Sequence, residues 1–181
     1  LMIRLAKLVG AIDVPKDNRR VHTIPKPRLG GLAIFIGFLA GALYFVDMDS
    51  RMFGVLIGAL IIVTLGFFDD IKPLPAKFKF VVQVIAAIIA VRSGILISSV
   101  SNPLFFITGG NEFGIWAYPL TVIWIVGVTN AINFVDGLDG LAAGISVISA
   151  ATLFVAAFGT GQYPAAYLAA ILAAATLGFL P

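Results

Sequence analysis

Long stretches without a charged side chain constrain what this chain can fold into more than any other feature. Residues 113–135 and 140–181 contain no Asp, Glu, Lys or Arg, and a turn-rich break at 159–164 divides the second stretch. A helix that crosses a lipid bilayer needs about 20 mostly apolar residues. The pattern therefore predicts an all-α fold, a polytopic integral membrane helical bundle of about six to seven transmembrane spans. We place the spans near residues 30–46, 52–68, 80–97, 115–133, 141–158 and 164–181, with residues 1–12 as the inner end of a seventh.

The composition excludes a soluble globular domain. Apolar residues make up 60% of the chain and charged residues 12%, whereas a soluble domain carries roughly 25% charged residues. There is no cysteine, which excludes a disulfide framework, a cysteine-based zinc site and a thiol nucleophile. We expect one membrane-embedded domain over residues 1–181. The start at Leu1 and the end within an apolar run indicate a fragment of a longer protein.

Positive charge is unevenly distributed between the segments that connect the predicted spans. Segments 13–29 and 69–79 together hold eight Lys and Arg residues, whereas the opposite side holds Arg51 and Arg92. Because Lys and Arg concentrate in cytoplasmic loops, both segments are predicted to be cytoplasmic, and span parity adds residues 130–140 to that side. The outer segments are then 47–51, 98–114 and 159–164.

Asp69 and Asp70 stand at the end of a predicted span, in the sequence Gly66-Phe-Phe-Asp-Asp-Ile71. Ionisable groups at membrane depth are costly and usually functional. Adjacent carboxylates repel each other, which favours a cation or metal ion beside them. They also point about 100° apart on a helix, so they should have different partners. The alternative is that the pair only marks the membrane interface.

The segment 130–140, Asn-Ala-Ile-Asn-Phe-Val-Asp-Gly-Leu-Asp-Gly, carries a polar side chain at every third position. A 3₁₀-helix would align these side chains, whereas an α-helix would spread them over about 180°, and Gly137 or Gly140 could break it. Non-helical backbone at membrane depth survives only inside protein or beside a polar cavity. We predict a functional site here, with a plain polar turn as the alternative. The four residues, called the ladder below, are Asn130, Asn133, Asp136 and Asp139.

Three further features lie on the predicted cytoplasmic side. The basic segment 13–29 contains His22 and Arg28, and phosphate binding is one interpretation because guanidinium groups suit phosphate oxygens; ordinary cytoplasmic charge is the other. Lys77 is close in sequence to the Asp69–Asp70 pair, although a cytoplasmic loop would carry its charge anyway. Gln83, one turn into its span, is interpreted as a hydrogen bond between helices.

Acids, amides and cations on one membrane face predict an enzyme that handles phosphates. Mg²⁺ prefers a few carboxylates together with substrate phosphate oxygens. A soluble phosphate donor and a lipid phosphate acceptor would meet at such a face, which favours an integral-membrane phosphotransferase. A transporter would place polar groups near the middle of broken helices, and the middles of these spans are almost entirely apolar. A purely structural membrane subunit would not need the ladder.

Three motifs carry a resemblance to a known family. They are Asp13-x-Pro-x-x-x-Arg-x-Val-His-x-x-Pro-x-Pro-Arg-x-Gly-Gly31, then Gly66-Phe-Phe-Asp-Asp-Ile71 with Lys77 and Gln83, and finally Asn130-x-x-Asn-x-x-Asp-Gly-x-Asp-Gly-Leu-Ala142. The chain resembles the polyprenyl-phosphate N-acetylhexosamine-1-phosphate transferases, the glycosyltransferase 4 group. The first motif is similar to the WecA/TagO-like branch and differs from the related MraY branch.

The resemblance implies a fold of about ten or eleven spans in the bacterial inner membrane, with the active face in the cytoplasm. It implies transfer of a sugar-1-phosphate, GlcNAc-1-phosphate in this branch, from a UDP-sugar to undecaprenyl phosphate with release of UMP. Such a step begins the synthesis of cell-envelope polysaccharides. Transfer of phospho-MurNAc-pentapeptide is the alternative within the family. The implied partners are the UDP-sugar donor, the undecaprenyl phosphate acceptor and the bilayer; nucleic acid is not implied, and a homodimer is left open.

The resemblance also implies roles for individual residues, with Mg²⁺ as cofactor and Mn²⁺ as a substitute. It implies later cytoplasmic elements, a magnesium-binding Asp and a His-rich loop, beyond residue 181. The catalytic residues would be Asp69, Asp70, Asp136 and Asp139. The substrate-binding residues would be Asn130, Asn133, Lys77, His22 and Arg28, and the metal ligands Asp69, Asp70 and Asn133.

Overall fold

A computed structural model of the chain describes residues 8, 12–13, 26–27, 29–99, 112–136 and 140–180. Within these residues two short strands precede six long helices, and a 3₁₀ turn at Gly114–Trp116 leads into the fourth helix. In chain order the elements are β1 (Ile12–Asp13), β2 (Lys26–Pro27), α1 (Gly30–Phe45), α2 (Ser50–Ile71), α3 (Ala76–Arg92), α4 (Ala117–Val135), α5 (Leu141–Gly159) and α6 (Tyr163–Leu177).

Each of the six main predicted spans overlaps a helix, so the all-α prediction is confirmed apart from the two-residue strand pair, whereas the predicted count of six to seven membrane spans is not confirmed. Three helical segments are long and apolar enough to cross a membrane, by length and composition: Ser50–Ile71, Gly114–Val135 and Leu141–Gly159. Helices α1 and α6 are apolar but shorter, with 16 and 15 residues. Residues 1–12, the predicted seventh segment, lie almost wholly outside the described part of the chain.

Helix α3 begins and ends earlier than the predicted span 80–97. It begins at Ala76 because Pro75 disfavours helical geometry in the residue before it. It ends at Arg92 because the chain turns there, with Gly94 at φ 98°. The lysines at 77 and 79 therefore lie inside the helix and not in the connecting loop.

The six helices form a ring in which each packs against the next, and α6 returns to pack against α1. Neighbouring helices run antiparallel. For α3 and α4, Gln83 bonds to Asn130 near one end, and the Ile97 backbone bonds to the Thr121 side chain near the other. All connections between helices therefore alternate between two ends of the bundle.

Glycines hold two pairs of neighbouring helices at close range. On α1, a Cβ added at Gly41 would lie 2.5 Å from the Ile171 side chain of α6. On α2, a Cβ added at Gly54 would lie 2.3 Å from the Ser93 side chain, just past α3. Gly37 and Gly58 lie four residues from these and also face a neighbouring helix closely. Small residues spaced by four allow membrane helices to approach, and these four glycines therefore act as packing residues.

Large apolar side chains cover the outside of the ring. Ile148, Leu153 and Val155 of α5 are more than three-fifths exposed, as suits an apolar solvent. Several exposed tyrosine and tryptophan residues, together with Phe45, lie where α1 ends and where α4 and α6 begin, as expected for side chains at a membrane–water interface. We call this the aromatic end; its members include Tyr44, Phe45, Trp116, Tyr118 and Tyr163.

The glycine contacts predict a position-dependent effect of adding one methyl group. Gly54→Ala should destabilise the protein by about 1–3 kcal/mol, because the new Cβ overlaps Ser93 and overpacking a close contact forces the helices apart. Gly127→Ala on α4 is the control, because nothing lies within 4 Å of its added Cβ. Thermal unfolding in detergent should show a lower Tm for Gly54→Ala alone. Equal Tm values would contradict the close-packing account.

Candidate active site

The polar residues singled out by the sequence meet at the end of the ring opposite to the aromatic end. We call this the site end. Helix α2 ends there with Asp69 and Asp70, and α3 begins there. Helix α4 ends there, at Val135, and α5 begins there after Gly140. The structure therefore places the acidic pair and the described part of the ladder at one end of the ring, as predicted.

Asp69 is held on both carboxylate oxygens. Its Oδ1 accepts a hydrogen bond from the backbone N–H of Leu74 at 2.8 Å, and its Oδ2 accepts one from Lys79 Nζ at 3.1 Å. The two charged side chains are about one-third exposed, at 28% for Asp69 and 32% for Lys79. A partly exposed ion pair of this kind contributes only about 0–1 kcal/mol to folding. Its main effect is therefore to orient the carboxylate.

The acidic pair occupies an electrostatically unfavourable place. Asp69 and Asp70 lie in the last turn of α2, where the carbonyl end of the helix dipole repels negative charge. The lysine ammonium offsets part of this repulsion at Asp69. Both acids are half-buried. The predicted need for a cation beside the pair is met by Lys79.

Lys79 is the residue that sequence reasoning missed. It was counted only as a cytoplasmic charge, whereas Lys77 was predicted to serve the site. In the structure Lys77 is exposed, and among the described residues Lys79 makes the ion pair to Asp69. A signal was present in the sequence, because Lys79 lies four residues before Gln83 and therefore on the same face of a helix.

Gln83 and Asn130 join α3 to α4. Gln83 is buried, with 9% of its surface exposed, and its Oε1 accepts a hydrogen bond from Asn130 Nδ2 at 2.7 Å. Asn130 Nδ2 also donates to the backbone carbonyl of Val126 at 2.8 Å. The interpretation of Gln83 as a hydrogen bond between helices is confirmed, and its partner belongs to the ladder.

The ladder begins as a regular α-helix. Helix α4 continues to Val135, so Asn130 and Asn133 diverge by about 60° around the helix axis. Asn130 is half-buried, whereas Asn133 is exposed and so is Asp136, which caps the helix. Asp139 lies outside the described residues. Helix α4 ends at Val135, and Gly140 adopts φ 73° directly before α5, whereas Gly137 lies outside the described residues.

The two ends of the basic segment 13–29 lie close together. Strands β1 and β2 pair antiparallel, with Asp13 opposite Lys26. Beyond them, Gly30 packs under the Phe179 ring, and the next residue, Leu180, approaches Gly140. Gly30, which follows the basic segment, and Gly140, which precedes α5, therefore both lie beside residues 179–180. His22 and Arg28 lie outside the described residues.

The carboxylates present suit a magnesium ion that is shared with a substrate. Among the described residues, no group of three His, Cys, Asp or Glu side chains is placed to hold a metal ion. Mg²⁺ is usually bound by one or two carboxylates together with phosphate oxygens of the substrate. Each oxygen of the Asp69 carboxylate has a second lone pair besides the one used in its hydrogen bond. The donor set fits that mode of binding better than a closed protein cage.

These features define a class: an apolar helical bundle with carboxylates, amides and a lysine gathered at one end. Residues 52–181 match the glycosyl transferase family 4. The chain belongs to that family, which confirms the resemblance inferred from its motifs.

Individual relatives show which members of the family the chain is similar to. The chain is 49% identical over 178 residues to the probable undecaprenyl-phosphate N-acetylglucosaminyl 1-phosphate transferase of Bacillus subtilis, covering 98% of this chain and 49% of that protein. It is 36% identical over 197 residues to the decaprenyl-phosphate N-acetylglucosaminephosphotransferase of Mycobacterium tuberculosis, covering 98% and 48%.

A second type of relative is less similar. The chain is 33% identical over 182 residues to the phospho-N-acetylmuramoyl-pentapeptide-transferase of Halalkalibacterium halodurans, covering 92% of this chain and 54% of that protein. The chain thus spans about half the length of the curated relatives it matches. No solved structure matches it.

The placement of Asp136 predicts that the ladder acid is not needed for folding. Asp136→Asn removes an exposed negative charge from the carbonyl end of α4. The Tm should therefore stay unchanged or rise, and the free energy of unfolding should increase by no more than about 1 kcal/mol.

Thr121→Val is the contrasting variant. Thr121 is 1% exposed and accepts a hydrogen bond from the Ile97 N–H, so its loss should cost about 1–3 kcal/mol. Thermal melts in detergent compare the two variants. A large loss of stability in Asp136→Asn would make the ladder a folding element.

Proposed function

We propose that this chain forms part of an integral-membrane enzyme that transfers a sugar-1-phosphate, GlcNAc-1-phosphate, from a UDP-sugar to undecaprenyl phosphate and releases UMP. The observation that carries this proposal is the position of the Asp69–Lys79 ion pair. Two residues beside this pair, Phe68 and Leu74, line an apolar groove on the outside of the ring, and Leu74 donates its N–H to Asp69.

The groove suits the chain of a lipid acceptor. It has a volume of about 630 Å³ and runs between α2 and α3. Its walls are almost entirely apolar, and Lys72 lies at the end nearest the site. Phe68 and Leu74 line the groove, and Leu74 also donates its N–H to Asp69. An isoprenoid held in the groove would therefore bring its phosphate to the ion pair.

The proposed reaction is a phosphoryl transfer. An oxygen of the lipid phosphate attacks the phosphorus that carries the sugar, and the bond from that phosphorus to the UMP oxygen breaks. Lys79 and Lys72 would offset negative charge on the lipid phosphate. Asp69 would orient or deprotonate that phosphate, and Asn133, Asp136 and Asp139 would position the donor.

Magnesium is the proposed cofactor, and Mn²⁺ is its proposed substitute. Asp69, Asp70 and Asn133 would hold the ion together with diphosphate oxygens of the donor. When bound, the ion would neutralise charge on the diphosphate. The positions of the acids in the last turn of α2 support this role, because a cation offsets the charge that the helix end disfavours.

The proposed topology has six to seven spans in the bacterial inner membrane, with the site end in the cytoplasm. Support comes from the antiparallel ring and from the opposite positions of the lysines and the aromatic end. Helices α1 and α6, at about 1.5 Å per residue, are about 22–24 Å long, so the bilayer would have to thin beside them or the connecting residues would have to extend them.

The two family activities considered for this chain differ in the UDP-sugar that serves as donor. The 49% identity to the N-acetylglucosaminyl 1-phosphate transferase favours UDP-GlcNAc over a UDP-MurNAc-pentapeptide, whose transferase is 33% identical. Transfer of radiolabelled sugar-1-phosphate to undecaprenyl phosphate, measured with each donor in the full-length protein, tests this proposal. Transfer from the pentapeptide donor alone would assign the chain to the second activity.

Removing either acid of the pair should slow the reaction without removing the fold. In the full-length protein, Asp69→Asn and Asp70→Asn should each lower kcat by about 10²–10⁴-fold, by unequal factors because the two side chains point about 100° apart on the helix. Asp47→Asn, an exposed acid at the aromatic end, is the matched control and should keep wild-type activity. Wild-type turnover in both site variants would reduce the pair to an interface marker.

The absence of native cysteine makes the topology directly measurable. Cysteines introduced at Lys72 and Thr160, which lie at opposite ends of the ring and are exposed, should react from opposite sides of the membrane. A membrane-impermeant maleimide added to intact cells should label the Thr160→Cys protein alone. Labelling of the Lys72→Cys protein under the same conditions would overturn the proposed orientation.

A further inference from the structure

Helix α3 carries two polar side chains that connect the two halves of the site. Lys79 contacts Asp69 of α2, and Gln83 contacts Asn130 of α4. Residues four apart share one face of an α-helix, and Gln83 lies about 6 Å further along the axis than Lys79. One face of α3 therefore links the helix end that carries the acids to the helix that carries the ladder.

The Gln83–Asn130 contact is buried and well defined. Gln83 is 9% exposed, and both side-chain hydrogen bonds of Asn130 Nδ2 go to protein acceptors, Gln83 Oε1 and Val126 O. Two N–H groups are all that a side-chain amide has to donate. The Asn130 donors are therefore engaged in the protein and are not directed at a substrate.

The Gln83–Asn130 contact also fixes the position of α4 along its axis relative to α3. Near the aromatic end the two helices are connected by the hydrogen bond from the Ile97 N–H to Thr121. Near the site end, the Gln83–Asn130 hydrogen bond is the corresponding polar link between the described parts of the two helices. Asn133 and Asp136 follow Asn130 by about 4.5 and 9 Å along α4, so a shift of α4 at Asn130 would move both.

We propose that Gln83 is a positioning residue: through its hydrogen bond to Asn130 it fixes Asn133 and Asp136 relative to the Asp69–Asp70 pair. The inference rests on the proposed function, because it assumes that the pair serves the lipid phosphate and that Asn133 and Asp136 serve the donor. Gln83 touches neither substrate. Its effect is to hold two reacting groups at the separation that in-line transfer requires.

An exchange of side-chain lengths tests the hydrogen bond itself. Gln83→Asn shortens one partner by a methylene, and Asn130→Gln lengthens the other by the same amount. The double variant keeps the total length and both amide groups. Gln162→Asn makes the same chemical change at an exposed glutamine of the aromatic end and is the matched control.

Three quantities are measured on the full-length protein: kcat and KM for UDP-GlcNAc transfer, Tm, and the distance between nitroxide labels on α3 and α4. The labels are attached to cysteines introduced at Phe80 and Phe134, which are 55% and 85% exposed. Because residues 1–181 contain no cysteine, neither label competes with a native cysteine within this part of the protein.

Both single variants should lower kcat by about 10–100-fold, since small misplacements of reacting groups have effects of that size. The change in KM should be much smaller, the Tm should fall modestly because a buried hydrogen bond is weakened, and the label distance should shift. The double variant should recover most of kcat and the original distance. Gln162→Asn should behave as the wild type in all three measurements.

Three results would overturn the proposal: wild-type kcat in Gln83→Asn, a folded double variant as slow as the single variants, or a loss of Tm with unchanged kcat in the folded protein. If a single variant does not fold, the double variant decides alone, by recovering or not recovering kcat. Failure of the proposed function is separate, because it would show as absent transfer by the wild type from any UDP-sugar. The label distances would still report whether Gln83 sets the position of α4.

Discussion

Helices surrounded by an apolar solvent gain little by burying apolar side chains against one another, so the ring depends on how closely its backbones approach. Gly41 and Gly54 allow that approach on either side of the α1–α2 connection, and a methyl group at either position would overlap a neighbouring side chain. Dispersion contacts at this range are individually weak but numerous. The relative heights of the helices, and with them the positions of every polar group at the site end, follow from these contacts.

Polar contacts then fix the axial positions of the helices, which close packing alone leaves free. Apolar side chains can slide past one another along two helix axes at small cost, whereas a buried hydrogen bond fixes one height. Gln83–Asn130 does this for α3 and α4, whereas the Lys79–Asp69 ion pair links α3 to α2. The second link is partly exposed and weak in energy, yet it orients a carboxylate that the dipole of α2 would otherwise repel.

Much of the fold follows from where charges are absent. The uncharged stretches predicted six helices, because a charge in the middle of a membrane helix is costly and a gap between charges marks a span. The boundaries of α3 were wrong because span prediction counts apolar residues, whereas Pro75 and Gly94 end the helix for reasons of backbone geometry. The pairing of Asp13 with Lys26 was not predicted, since two-residue strands have no periodicity to detect.

The site was predicted in its residue types more than in its contacts. Asp69, Asp70 and the ladder stood out because polar groups beside apolar spans need a reason, and that argument uses only the sequence. Lys79 did not stand out, because counting cytoplasmic charges treats every lysine in a segment alike. The choice between an α-helix and a 3₁₀-helix at Asn130 was also open, since both satisfy a spacing of three. It is decided by packing against α3, where Gln83 meets Asn130 in an α-helical α4.

The arrangement of α2, α3 and α4 determines how the two proposed substrates would reach one site. The apolar groove and the Asp69–Lys79 pair are built from the same two helices, α2 and α3, so the proposed lipid site needs no contribution from α4. The exposed ladder residues belong to α4, which faces the other side of α3. The proposed lipid substrate and the proposed water-soluble donor would then approach from different directions and meet at the end of α3. That helix has a lysine facing one half of the site and a glutamine facing the other, so its rigidity sets the distance between them.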